Sequence, residues 1–206
     1  MSRSVNVKER TGVNMRRLSQ LILSVLLGFC AISVAAPSAT AQAEKFEFGV
    51  DYNYVRANGP PGGCGCFSMN GGNAWAGYRL TDSFSAVGEF SAQHAGNING
   101  SGQDLTLFSY LFGPRFTLRK SDRWQPFGEL LLGGAHSSGT FEPSSTGGSG
   151  SFNSFSLVTG GGLDIHVIPH FDIRAVDADY YLTQFPNGVN GRQNNLRISA
   201  GVVFRF

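Results

Sequence analysis

The chain has 206 residues, with 28 glycines, 17 phenylalanines, 15% charged residues and a formal net charge of +2. Glycine stands at about twice its average share of about 7%, and a mean hydropathy of −0.07 argues against a protein built of membrane-spanning helices. An aromatic content of 12% argues against disorder. Only three lysines are present, so there is no basic tract and we expect no nucleic-acid partner.

Residues 1–43 have the features of a secretory signal peptide. Two arginines precede an apolar run at 21–36, and small residues follow it. The small-x-small rule predicts cleavage between Ala43 and Glu44, and translation from Met15 would leave this interpretation unchanged. Five of the basic and one of the acidic residues lie in 1–43, so the expected mature domain, 44–206, has a net charge of −2.

Apolar and polar side chains alternate along the rest of the chain. At 46–54, aromatic and aliphatic residues take the even positions, and glycine, asparagine and acidic residues take the odd ones. The last run, 195–206, repeats this alternation. A period of two indicates β-strands with one apolar face. Six further strands are predicted between these two: 73–80, 84–93, 104–118, 125–136, 155–167 and 171–182.

The connections between the eight predicted strands alternate in length. Short connections occur at 81–83, 119–124 and 168–170. Long connections, rich in glycine, serine and asparagine, occur at 56–72, 94–103, 137–154 and 183–192. Outer-membrane barrels combine such short periplasmic turns with long outer loops, and a sheet in lipid must close to pair its backbone. The sequence therefore predicts an all-β fold, an eight-stranded antiparallel up-and-down transmembrane β-barrel with its aromatic face toward lipid.

Several local sequences resemble the small OmpA-type outer-membrane β-barrels, a broad family of eight-stranded bacterial surface barrels. The resemblance implies export to the cell outer membrane and contact with its lipid. No peptidoglycan-binding domain follows Phe206, so we expect no tethering to the cell wall. The family does not share one activity, so the resemblance implies no reaction. The segments that carry it are 46–54, 113–115, 126–129, 160–164, 179–180 and 201–206.

The end of the chain carries a further resemblance. Phe206 is preceded at alternate positions by Phe204 and Val202, which resembles the signal read by the outer-membrane barrel assembly machinery. That machinery is therefore an expected partner during biogenesis. In physical terms, such an end strand pairs by β-augmentation before the barrel closes.

The face opposite the aromatic one carries charges that a narrow lumen would bring together. An isolated charge there is costly, so a salt-bridged plug is favoured over a gated ion path. Three of these residues lie on successive strands, which predicts a carboxylate–guanidinium–carboxylate ladder of Glu89, Arg115 and Glu129. The full predicted lumen ion-pair cluster comprises Glu47, Asp51, Glu89, Arg115, Glu129, Asp164 and Arg197.

The predicted strand 171–182 conflicts with strict alternation. Asp172 and Arg174 have one parity and Asp177 and Asp179 the other, so a regular strand cannot turn all four inward. We place the first pair near the periplasmic rim and the second pair in the lumen. A β-bulge is the other solution.

Four further residues have competing interpretations. Cys64 and Cys66 lie in the first long loop, and export favours their oxidation. A disulfide between them would staple the loop, while free or intermolecular thiols and a redox or metal role are the alternatives. Trp75 and Trp124 lie near predicted strand ends, and we assign them to the interfacial aromatic girdles of such barrels.

These observations favour a barrel with a side-chain-filled lumen and a structural or surface-recognition role through its long outer loops. The alternatives are a narrow pore for ions or small solutes and a secreted lipocalin-like barrel that binds apolar ligands. His136 and Ser138 faintly resemble the H-x-S arrangement of lipid A deacylases, so a lipid A-modifying hydrolase is a further alternative. The four histidines show no metal-ligand spacing, so we expect no metal site or cofactor. Serine beside histidine is common by chance in so serine-rich a loop, so we expect no enzymatic activity. The extracellular partner is left open.

Overall fold

The computed structural model describes residues 45–59, 65–119, 121, 123–141, 150–186 and 191–206. Eight antiparallel strands form a closed barrel in chain order, which confirms the predicted fold class. Among the described residues, no helix combines the length and apolar character needed to cross a membrane. The strands are β1 (Phe46–Gly59), β2 (Gly65–Arg79), β3 (Phe84–Ala95), β4 (Leu105–Thr117), β5 (Trp124–Gly139), β6 (Gly150–Ile168), β7 (Phe171–Thr183) and β8 (Gln193–Arg205).

Strands β1 and β8 close the barrel. Their register places Glu47 opposite Arg205. Just below this pair, the amide of Phe46 donates to the carbonyl of Phe206 at 2.9 Å, and the amide of Phe206 donates back to the carbonyl of Phe46 at 2.8 Å. The sheet therefore has no open edge, as a spanning sheet in lipid requires.

The aromatic face of the strands points outward. On β1, Phe48 and Val50 are 45% and 59% exposed, while Glu47 and Asp51 between them are each 2% exposed. A lipocalin-like barrel needs the opposite arrangement, with its apolar face inside. The alternative of a secreted ligand-binding barrel is therefore wrong.

Two hairpins extend farther outward than the sequence predicts. Strands β1 and β2 stay paired as far as Gly59 opposite Gly65, so the predicted loop at 56–72 shrinks to 60–64. Strands β5 and β6 pair out to Gly139 opposite Gly150. Glycine, serine and asparagine in these segments are typical of loops. The pairing continues because the inward positions carry buried apolar side chains such as Val55, which is 0% exposed.

A β-bulge resolves the parity conflict in β7. Arg174 pairs with Gly201 and Asp177 with Ser199, so three residues of β7 advance against two of β8. The extra residue lets Ala175 and Val176 both face outward. Asp172, Arg174, Asp177 and Asp179 are consequently all buried, at 0–1% exposure. The placement of Arg174 at the rim is therefore wrong, and the bulge is the correct solution.

Apolar side chains cover the outer mouth of the lumen, and we call this set the apolar cap. Three of them come from outer connections: Ile98, in a short 3-10 turn at Ile98–Gly100, Phe141, which follows β5, and Phe185, which follows β7. The rings of Phe67 and Phe141 meet edge to face with centroids 5.2 Å apart. Burial of these groups keeps water from the upper lumen. The cap comprises Ala57, Phe67, Met69, Ala95, Ile98, Leu105, Leu107, Phe141 and Phe185.

Candidate functional site

Ion pairs fill the lumen below the apolar cap, and Arg197 of β8 is one of their two centres. Its Nε and Nη2 atoms lie 2.9 and 2.8 Å from Oδ2 of Asp179 on the adjacent strand β7. Its Nη1 and Nη2 atoms also reach both carboxylate oxygens of Glu89 on β3, Nη2 at 3.2 Å. Asn73 donates to the same carboxylate at 2.9 Å. One guanidinium thus links distant walls of the barrel.

Arg174 of β7 is the second centre. Its Nε and Nη2 atoms donate to the two oxygens of Asp164 at 2.9 and 3.3 Å. Its Nη1 atom lies 3.5 Å from both Asp51 and Asp177. The side chain is 0% exposed. The three carboxylates come from β1, β6 and β7, so the inward turn that the bulge gives Arg174 holds three strands together.

Trp75 stacks with two guanidinium groups inside the lumen. The Arg115 and Arg174 guanidinium carbons are 3.9 and 4.5 Å from its ring centroid, and its Nε1 donates to Asp51 at 3.0 Å. Such stacking stabilises a buried cation through the aromatic quadrupole. Trp75 is 3% exposed, so its assignment to the aromatic girdle is wrong. Gly49 faces the ring directly, and only a residue without a Cβ fits there.

A further group of charges closes the periplasmic end, and Arg205 links it to Asp164 at 3.8 Å. Glu47 lies 3.0 Å from Arg79 and 3.4 Å from Arg205, and it also pairs with Arg119. Arg205 pairs in turn with Asp172. Because Arg79 and Arg119 are only partly buried, this group meets water at the rim.

The structure places all seven residues of the predicted ion-pair cluster in the lumen, at 0–5% exposure. Arg115 does meet Glu129, through Nε to Oε2 at 2.7 Å. The predicted ladder is wrong in one rung, because Glu89 bonds to Arg197 instead. Register explains this difference: Glu89 is opposite Leu111 on β4, four positions before Arg115.

Sequence reasoning missed two of the side chains that hold the network. Trp75 has the same parity on β2 as Arg79, whose charge favours the lumen face and which bonds to Glu47, so this parity was a usable signal. Phe127 likewise shares the parity of Glu129 on β5, and its ring centroid lies 4.3 Å from the Arg174 guanidinium. Aromatic character alone predicts the wrong face for these two residues, since aromatic residues face lipid elsewhere on the barrel.

Several predicted residues lie outside the described part of the chain. Ala43 and Glu44, the predicted cleavage site, are among them, and so is Cys64. Cys66 is disulfide-bonded, and its pairing with Cys64 stays a prediction. At the other terminus, Phe204 and Phe206 face outward, at 41% and 61% exposure, on the same face of the chain as Val202. Their role as an assembly signal also stays a prediction.

The predicted hydrolase residues do not assemble a nucleophile and base. His136 faces outward, and its Nδ1 lies 2.9 Å from the amide oxygen of Asn153 rather than from a carboxylate. Ser138 is on the same face of β5, opposite Ser151. Glu142, the acidic residue that follows them in the sequence, lies outside the described residues. The contacts that are described give His136 no carboxylate to orient it as a base.

At the outer end, Asp104 and Thr140 join the β3–β4 and β5–β6 connections. The Thr140 hydroxyl donates to Asp104 Oδ1 at 2.5 Å, the Thr140 amide donates to the same oxygen at 3.2 Å, and the Asp104 amide donates to the hydroxyl at 2.9 Å. The hydroxyl bond is the main cause that holds the pKa of Asp104 below its ordinary value. The stability that this bond contributes is present above the ordinary aspartate pKa of about 3.9. It is lost as pH falls through the lowered pKa of Asp104 in the folded protein.

The Thr140→Val variant should reduce this pKa shift, because it removes the hydroxyl bond and keeps the amide bond. In the native protein we expect the Thr140 and Phe141 amide resonances to titrate together, with a midpoint below that of a free aspartate. In the variant the midpoint should rise toward the ordinary value, because the donating hydroxyl is gone. NMR of the micelle-embedded protein during acid titration measures this directly. A native midpoint at or above the ordinary value would contradict the assignment.

The geometry described above agrees with the comparison with known families. A model of the outer membrane protein beta-barrel domain matches residues 24–206. The chain belongs to this family. This member of the family accordingly resides in the cell outer membrane, with its aromatic face in contact with lipid.

Solved structures show the same fold. The Yersinia pestis attachment invasion locus protein, Ail, is 22% identical, with a TM-score of 0.53 over 79% of this chain and 99% of its own. Neisserial surface protein A is 19% identical, with a TM-score of 0.60 over 78% of this chain and 97% of its own. Ail has also been solved with the heparin analogue sucrose octasulfate. Among curated proteins, none matches the chain.

Proposed function

We propose that this outer-membrane barrel does not conduct ions and that it acts at the cell surface, by recognition through its outer connections. The observation that carries the proposal is the double closure of the lumen. Buried ion pairs fill its lower part, and the apolar cap covers its outer mouth. Moving an ion through would require breaking buried pairs and then crossing an apolar layer, and both steps are costly.

The composition of the outer connections supports recognition without strong charge. The segments 60–64, 96–104, 140–149 and 184–192 are dominated by glycine, serine, asparagine and proline, and they contain one arginine and two acidic residues. Serine, glycine and asparagine give the adaptable hydrogen bonding found in antibody binding loops. Ail was solved with a sulfated ligand, but a polyanion would find few basic partners here. We propose a ligand that is held mainly by hydrogen bonds.

Adhesion of whole cells tests the recognition role. A non-adherent Gram-negative host that displays this protein should bind at least one surface in a panel of immobilised extracellular-matrix glycoproteins, and bind it well above the empty host. Replacing 142–149 by a glycine–serine sequence of equal length should abolish this binding. High salt should leave it largely intact, because screening weakens only charged contacts.

The controls separate display from recognition. The variant Asp82→Asn, in a periplasmic turn, should be displayed and should adhere like the native protein. Both variants should show the same heat-dependent gel shift as the native barrel. Adhesion equal to that of the empty host on every surface would count against recognition. Stepwise currents from the native protein in planar lipid bilayers would count against a closed lumen.

A further inference from the structure

We propose that Glu129, Asp177 and Asp179 bind a calcium ion in the lumen. The three carboxylates come from β5 and β7, and one oxygen from each lies within 4.8 Å of the others. They are 5%, 0% and 1% exposed, respectively. The geometry thus brings three hard oxygen ligands to one point in a dry interior, and such ligands suit Ca²⁺ and Mg²⁺.

Each of these carboxylates has one oxygen that no strong donor satisfies. The other oxygens are engaged: Glu129 Oε2 with Arg115 at 2.7 Å, Asp179 Oδ2 with Arg197 at 2.9 Å, and Asp177 Oδ2 with Arg174 at 3.5 Å.

The remaining oxygens are buried. Oδ1 of Asp177 and Oδ1 of Asp179 have no hydrogen-bond partner among the described residues. Oε1 of Glu129 has only Arg197 Nη2, at 3.9 Å. Buried carboxylate oxygens are rarely left unpaired, because each loses its hydration without compensation. The arginines therefore orient the three carboxylates and leave one oxygen of each for a ligand.

The charge balance of the lumen favours a bound cation. In the described part of the chain, eight buried carboxylates face six guanidinium groups that bond to them, and His166 Nδ1 also lies 2.7 Å from Asp172. The carboxylates therefore exceed the arginines by two. Half of these guanidinium groups lie at the periplasmic end. They belong to Arg79, Arg119 and Arg205, and all three contact Glu47. The deficit falls in the middle of the lumen, where a divalent ion would cancel it.

The spacing favours calcium over magnesium. Calcium binds oxygens at about 2.3–2.6 Å, so two ligands on opposite sides of it are separated by about 5 Å. Magnesium bonds at about 2.0–2.1 Å, which limits that separation to about 4 Å, and it demands near-octahedral geometry. The limit of 4.8 Å on the distances between the three oxygens lies within the span that calcium allows and beyond the span that magnesium allows.

Refolding with and without calcium tests the site. The full barrel is refolded from urea into detergent micelles with CaCl₂, with MgCl₂, or with EGTA and NaCl at matched ionic strength. After free ions are removed, metal analysis should find one calcium per chain. At a hundredfold excess over Kd, the unfolding midpoint, followed by the heat-dependent gel shift, should rise by about 5–10 °C relative to EGTA. Magnesium should give a smaller rise.

Variants locate the ion. Asp177→Asn and, separately, Glu129→Gln should lose the bound calcium and most of the midpoint shift. Asp172→Asn is the matched control, since it is equally buried but pairs with Arg205 at the periplasmic end, and its calcium-dependent shift should persist. Absence of both bound calcium and a midpoint shift in the native protein would overturn the proposal. A midpoint that responds only to acidification would assign the excess charge to bound protons and would overturn it equally.

Discussion

Arg174→Met should lower the free energy of unfolding by about 3–5 kcal/mol, the cost of leaving buried charges without their partner. Asp164, Asp51 and Asp177 all lie within 3.5 Å of this guanidinium. Methionine fills much of the volume but supplies no charge, and the stacking on Trp75 and Phe127 is also lost. Urea titration of the micelle-embedded barrel in EGTA, read by the gel shift, gives the difference.

Two further variants show that charge is the cause. Arg56→Met removes an exposed arginine on the outer part of β1 and should change stability by less than about 0.5 kcal/mol. Adding Asp164→Asn to Arg174→Met should recover part of the loss, because it removes one of the carboxylates left unpaired. A loss below about 1 kcal/mol for Arg174→Met would mean that water enters the lumen and screens these charges.

Gly49→Ala should destabilise the barrel by about 1–3 kcal/mol, the usual cost of overpacking a filled interior. A Cβ at this position would overlap the Trp75 ring. The ring cannot retreat, because guanidinium groups lie 3.9 and 4.5 Å from its centroid. In a Trp124→Phe background, Trp75 is the remaining tryptophan, so its fluorescence emission should shift together with the stability.

A double-mutant cycle identifies the clash. Combining Gly49→Ala with Trp75→Leu should cost less than the sum of the two changes, by about 0.5–3 kcal/mol, because the smaller side chain makes room. Gly77→Ala is the matched control: it also faces the lumen, but its nearest neighbour, Val87, would be 3.6 Å away. Additive effects of Gly49→Ala and Trp75→Leu would argue against the contact.

The sequence was sufficient for the fold because alternation and connection length are local properties. All eight strands, their order and the outward aromatic face follow from a period of two and from the sorting of long and short connections. The outer limits of β1, β2, β5 and β6 could not be predicted from composition. Their glycine and serine residues are typical of loops, and only the apolar positions facing the lumen reveal that pairing continues.

The site was less predictable because it depends on contacts across the barrel. Parity alone places Glu89, Arg115 and Glu129 inside, but which guanidinium meets which carboxylate depends on the stagger between strands. The grouping of Glu129 with Asp177 and Asp179 was still harder to predict from the sequence. Glu129 is far in sequence from Asp177 and Asp179, and it meets them because its partner on β6, Gly160, is also opposite Asp179 on β7.

The bulge gives β7 two halves that are out of phase with each other. Before Ala175 the even-numbered side chains enter the lumen, and after Val176 the odd-numbered ones do. Loss of either Ala175 or Val176 would put all four charged residues of β7 in one phase, so a regular strand could turn them all toward the lumen without a bulge. Loss of both would restore the conflict, because Arg174 and Asp177 would then be neighbours on opposite faces. The bulge therefore accommodates one extra residue in β7, a property of strand length that no individual side chain expresses.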